Sequence, residues 1–108
     1  MAQFLLFLYD DPSGWDKLSP EEMQKSLEKY MAWGKGAYYR QGLRLGADPG
    51  KVLRGKARPA DGPYSETKEV LGGFYAIEAQ DYEDAVRIAQ THPHLDHGTI
   101  EIRQPWGQ

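Results

Sequence analysis

Cysteine is absent from the 108 residues. Disulfides, thiolate nucleophiles and thiolate metal sites are therefore all excluded, and the absence suits a cytoplasmic protein. No run approaches the roughly 18 consecutive apolar residues of a membrane span, so no membrane partner is expected. The opening stretch, residues 1–9, is apolar but carries no basic lead, and Asp10-Asp11-Pro12 follows where a cleavage site would need small residues. A basic surplus is missing too. Against 13 Lys and Arg stand 16 Asp and Glu, a balance that argues against nucleic acid as a partner. With 40% apolar and 27% charged residues, the chain should fold as one domain over residues 1–108, with a short tail at 104–108.

Hydrophobic patterning supplies the elements. Phe4 to Tyr9 is apolar at every position, which predicts a strand covered on both faces. Residues 10–18 form an acidic loop whose spacing is not that of a calcium-binding loop. Ser19-Pro20-Glu21-Glu22 is a capping box, and it opens a helix expected to run from Pro20 to Gln41 and stop at Gly42. Met23, Leu27, Tyr30, Met31, Gly34, Ala37 and Tyr38 make its apolar arc, with Trp33 at the border. Leu43, Leu45, Val52 and Leu53 mark a strand region broken by Asp48-Pro49-Gly50. Lys51, Arg54, Lys56 and Arg58 form a local basic cluster that guards an edge or attracts a small anionic ligand.

Val70 to Ala79 is the strongest strand, and Gly72-Gly73 within it marks a bulge or a close backbone approach. Asp81 caps a second helix carrying Tyr82, Ala85, Val86 and Ala89 and ending near Thr91. Thr99 to Arg103 alternates as a half-buried strand. The order is β-α-β-β-α-β, the ferredoxin-like α+β plan: a four-stranded antiparallel sheet with two helices on one face. Two helices cover one face only, while the strands at 4–9 and 70–79 are apolar on both. We therefore expect a homodimer closed through the sheet face, with Trp106 of the tail available to dock on the partner subunit.

Between the basic cluster and the strongest strand lies Asp61-Gly62-Pro63-Tyr64-Ser65-Glu66-Thr67-Lys68-Glu69, followed by Leu71-Gly72-Gly73-Phe74-Tyr75. A rigid Gly-Pro turn feeding a buried strand holds polar groups in fixed positions. This block resembles the signature of the YCII-related superfamily in its DGPF-motif branch, with Tyr64 in place of the name-giving Phe. The resemblance extends over nearly the whole chain and implies a dimeric α+β barrel. It implies little about activity, since most members are uncharacterised. Some YCII-like proteins are thought to use an Asp–His pair in a cleft, one of them removing chloride from an aromatic ring compound. The histidine of that branch lies on the first helix, where this chain has none.

Three chemistries compete. His92-Pro93-His94-Leu95-Asp96-His97 matches the metal-binding run of metallo-β-lactamase-type hydrolases, but the chain is half the needed length and has no other histidine. We expect neither a metal centre nor a cofactor. Acid–base catalysis of a lyase or dehydrochlorinase type would fall to Asp61 and His94, with Glu66 orienting. Simple ligand binding would use an aromatic cavity near the Asp61–Glu69 turn. Tyr30, Trp33, Tyr64, Phe74 and Tyr75 would line it, with Asp61, Glu66, Glu69 and Arg103 as polar anchors. In a purely structural role, as an interaction or regulatory module, the same residues would brace the turn.

Overall fold

Two strands that are apolar on both faces lie side by side at the centre of the sheet, which is what their composition demands. The computed structural model describes residues 1–64 and 67–107. Its elements are β1 (Ala2–Asp10), the one-turn α1 (Ser13–Asp16), α2 (Pro20–Trp33), β2 (Tyr39–Arg44), β3 (Lys51–Val52), β4 (Ala60–Asp61), β5 (Val70–Ala79), α3 (Tyr82–Ala89), a 3-10 turn (Pro93–Asp96) and β6 (Thr99–Arg103). The main sheet has four strands in the order β2-β5-β1-β6, all antiparallel. This is the ferredoxin-like α+β arrangement, with the expected order of strands and helices. The short strands β3 and β4 pair separately as a small hairpin outside the main sheet.

Register decides which side chains face the helices. Phe4 pairs with Ile77 and Leu6 with both Tyr75 and Ile102. Phe4, Leu6 and Ile77 are completely buried, and Ala79, Ala85, Ala89 and Trp33 complete the core around them. The opposite face carries Leu5, Phe7, Ala76 and Phe74, with Leu43 beside Phe74 on the edge strand. Between Leu8 and Tyr9 the register slips: Leu8 pairs with Gly73 and Tyr9 with Leu71, leaving Gly72 as the extra residue. The bulge expected from the Gly-Gly pair is therefore present. It sits one step before Asp10, which lies buried on the helix side of the sheet.

Both helix starts follow their sequence signals. Ser19 accepts from the Glu22 amide and Glu22 reaches back to the Ser19 amide, while Asp81 accepts from the Asp84 amide. The first long helix, however, ends at Trp33 rather than Gln41. Gly34 and Gly36 give up helical backbone cheaply, and Tyr39 to Arg44 is taken by the edge strand, where the β5 ladder satisfies its amides. The buried face of α2 shifts accordingly. Trp33 is buried and Met31 is 67% exposed, the reverse of the expected arc. In α3 the partner of Ala85 and Ala89 is Ile88, while Val86 faces outward. The loop expected at 10–18 contains the single turn of α1, and Trp106 is fully exposed. Among the described residues no helix is long and apolar enough to cross a membrane.

Candidate functional site

The three histidines enter the structure as one unit because Pro93 starts a 3-10 turn directly after α3. His92 caps that turn: its Nδ1 accepts from the His94 amide at 2.8 Å. That bond fixes the neutral tautomer, so Nε2 carries the proton and points at the Tyr75 hydroxyl, 3.1 Å away. Burial pushes the His92 imidazole down to about 4, with His94 and His97 adding repulsion. Burial likewise pushes the Tyr75 hydroxyl up to about 12, helped by Tyr39 and Tyr38. Tyr30, Trp33 and Tyr75 pack around the His92 ring with centroids at 4.8, 4.5 and 5.1 Å. Trp33 Nε1 donates to Thr91 Oγ1 at 2.9 Å. His92 is a structural core residue, neutral and fully bonded.

His94 and His97 extend from the same turn toward the end of β1. The His94 Nε2 lies 2.8 Å from the Tyr9 carbonyl, which accepts only, so Nε2 is protonated and Nδ1 is an acceptor. The Tyr30 hydroxyl donates to that Nδ1 at 2.7 Å. Its proton thus committed, the Tyr30 oxygen accepts from His97 Nε2 at 3.2 Å. The result is a directed chain, His97 to Tyr30 to His94 to the Tyr9 carbonyl. Burial lowers the His94 imidazole below its ordinary range, against the raising effects of the Tyr9 carbonyl and of Asp10 and Glu69. The Tyr30 hydroxyl is raised far above the usual phenol range, first by burial and then by Asp10. Gly98 lets the turn approach so closely, since a Cβ there would collide with His94 Nε2 and the Tyr9 carbonyl.

Asp10 is the carboxylate of this cluster. It is buried, and a buried carboxylate needs donors. Trp15 Nε1 supplies one at 2.6 Å, and His97 Nε2 stands 3.9 Å from the same oxygen. The one turn of α1, braced by Asp11 accepting from the Ser13 amide and hydroxyl, brings Trp15 over this end of the sheet. Trp15 meets His97 edge to face at 5.1 Å. His97, with 39% of its side chain exposed, is the member of the chain that reaches solvent.

Candidate ligand atoms of Asp10, His94 and His97 lie within 4.8 Å of one another, so a divalent ion is geometrically conceivable there. The hydrogen bonds oppose it. Both ring nitrogens of His94 are already committed, to Tyr30 and to the Tyr9 carbonyl. A metal would have to break one of these bonds before gaining its third ligand. The arrangement is built to hold protons in fixed places.

The residues marked out by sequence distribute unevenly. Tyr30, Trp33 and His94 belong to this cluster. Glu69 borders it: it lies beside the Thr99 hydroxyl at 3.3 Å, and its charge reaches His94. Asp61 sits on the β3–β4 hairpin, paired with Lys51 at 2.5 Å and exposed, and it is not among the partners of His94. Tyr64 is 73% exposed beneath the Arg54 guanidinium. Glu66 lies outside the described residues. Phe74 is on the sheet face away from the helices, as is Arg103, whose Nη1 is 3.8 Å from Glu101. Asp10, Trp15 and His97 complete the cluster without having been singled out as its members. Only the apolar run ending at an aspartate hinted at the first. An open groove of about 560 Å3 runs along α2 and the 3-10 turn past Lys29, Trp33, Thr91 and His92, but does not include Asp10, Tyr30 or His97.

Comparison with known proteins adds the family. An uncharacterised protein of Rhizobium meliloti (strain 1021) is 29% identical over a 110-residue alignment that spans 93% of this chain and 89% of the relative. The family model of the YCII-related domain matches residues 2–106, and the chain therefore belongs to the YCII-related family.

Proposed function

We propose that the chain, a member of the DGPF-motif branch by its Asp61–Glu69 block, binds a small organic molecule where that block enters β5 and performs acid–base chemistry on it. The observation that carries this reading is the directed hydrogen-bond chain from His97 through Tyr30 to His94, with Asp10 alongside. The signature block ends at this place, since Val70 pairs with Asp10, Lys68 acts on Asp11 and Glu69 acts on His94. Asp10 and His97 thus take the roles that sequence alone assigned to Asp61 and His94.

In this reading His97 is the exchanging base. A substrate C–H or O–H bond breaks, its proton goes to His97 Nδ1, and the electron pair stays on the substrate as an enolate or phenolate. The imidazolium that forms keeps its Nε2 proton toward Tyr30 and lies next to Asp10, whose charge stabilises it. The proton does not pass on to His94, because burial disfavours a charged ring there. The buried pair of Tyr30 and His94 positions the His97 ring. A deuterium-exchange experiment tests the proposal. The protein in D2O is given a panel of small 2-oxo acids, and loss of the C–H signals beside their carbonyl groups is followed by proton NMR. Exchange that disappears in Asp10→Asn and His97→Gln, with melting little changed, is the expected result. No exchange across the panel, or exchange untouched by both substitutions, overturns it.

A homodimer closed over Leu5, Phe7, Leu43 and Phe74 accompanies this reading, because these residues lie opposite the core that the helices cover and none of them belongs to it among the described residues. A cytoplasmic location fits the absence of cysteine.

A further inference from the structure

Arg44 ends the edge strand β2 on the helix side of the sheet, opposite Gly73. Its guanidinium lies over the Trp15 ring, 5.2 Å from the centroid. Among the described residues no carboxylate pairs with it, although the chain has more acids than bases. The same indole donates from its edge to Asp10 and packs against His97 and Tyr30. Asp10 is therefore engaged at the rim of the ring, while Arg44 occupies its face. Arg44 is also close enough for its charge to act on the Tyr30 hydroxyl. A guanidinium pinned on an aromatic face has lost part of its rotamer freedom, and it keeps its N–H fork for a planar anion.

We infer that Arg44 is the anchor for the carboxylate of a small organic acid, and that Trp15 holds this anchor beside the Tyr30–His97 pair. The inference rests on the acid–base reading for the reaction but makes a separate claim about the substrate class. Arg44 sets specificity, and the reacting atom of the acid is presented to His97.

The test compares 2-hydroxybenzoate with 2-hydroxybenzamide, which differ in charge and little in shape. Binding to the full chain is read from the Trp15 indole N–H resonance in nitrogen-15 spectra. The benzoate is expected to move that resonance and to bind about tenfold more tightly than the amide, the usual worth of a charge-assisted pair. Arg44→Gln should erase the preference, and Arg44→Lys should restore part of it. Both variants should melt as the parent does, since the side chain is exposed. Equal binding of the two compounds, a preference that survives Arg44→Gln, or a Trp15 resonance that neither compound moves at millimolar concentration overturns the inference. Deuterium exchange of a 2-oxo acid with a C–H beside its carbonyl, given to the parent and to the Arg44 variants, separates the two claims. A charge preference without exchange supports the anchor and removes the acid–base chemistry. Exchange indifferent to Arg44→Gln does the opposite.

Discussion

The Tyr30 hydroxyl lies 2.7 Å from His94 Nδ1, joining the last turn of the first long helix to a residue 64 positions later. One oxygen thereby serves two rings, donating to His94 and accepting from His97. Tyr30→Phe removes the donor and leaves His94 Nδ1 without its partner in a buried place. A loss of about 1–3 kcal/mol is expected from an orphaned buried acceptor. Urea unfolding should show a lower midpoint at unchanged slope. A variant as stable as the parent would mean that the hydroxyl does not tie the two elements together.

How much of this was legible beforehand depends on distance along the chain. The capping box at Ser19, the Asp81 cap and the bulge at Gly72 are local, and each formed as its residues require. The two central strands follow from runs of apolar residues and β6 from its alternation, whereas β2 lies earlier than the strand region expected from Leu43 to Leu53. The sequence alone overextends α2 because a helical period continues through Tyr38, while the β5 edge offers Tyr39 to Arg44 a better set of backbone partners. The site itself is tertiary. Asp10, Trp15, Tyr30 and His97 come from four separate elements, and no spacing in the sequence relates them. Asp61 and His94 looked like partners only because the sequence cannot say that residues 51–61 fold away as their own hairpin.

His92 makes stability depend on pH in a defined window. Its imidazole titrates at an ordinary 6.5 in an unfolded chain and at about 4 in the fold. Between those values the unfolded chain holds a proton that the folded one does not. Its contribution is therefore complete above pH 6.5 and is lost as the pH falls toward 4. It amounts to roughly 3 kcal/mol at most. His94, lowered in the same direction, adds to the slope. The capping carboxylates Glu22 and Asp84 are also lowered, and lose their stabilising charge only in more acidic solution. His92→Asn keeps an acceptor for the His94 amide and removes the titration. Its urea midpoint should fall less steeply between pH 6.5 and 4, and an unchanged slope would clear His92 of responsibility.

Gly98 is the position where space decides the site. A methyl group there meets His94 Nε2 and the Tyr9 carbonyl, the two atoms of one hydrogen bond. Gly98→Ala must push the turn away from β1, breaking that bond and withdrawing His97 from Asp10. A destabilisation of about 1–3 kcal/mol is expected, with loss of any exchange activity. Gly14→Ala, where nothing lies within 4 Å of the added carbon, is the control and should change neither. Equal behaviour of the two variants would show that the close approach carries no cost.

The face of the sheet away from the helices supplies the last expectation. Phe7 pairs directly with Phe74, and Leu5 with Ala76, so four apolar side chains form one patch on the central strands. Leu43, 57% exposed, extends it to the edge. Gln3, Gln41, Glu78, Glu101 and Arg103 share this side of the sheet, an apolar centre with a polar border that suits an interface between identical copies. Two antiparallel sheets stacked face to face would bury the aromatic pairs against each other at the usual spacing of about 10 Å. Phe7→Lys places a charge at the centre of that contact, where a dimer would have to bury it twice, and leaves the helix-side core untouched. Sedimentation equilibrium at micromolar concentration should give twice the 12.3 kDa chain mass for the parent and the single mass for the variant, with both folded by circular dichroism. A parent that sediments as a monomer would leave this face without the second copy, and with it the barrel expected for the family.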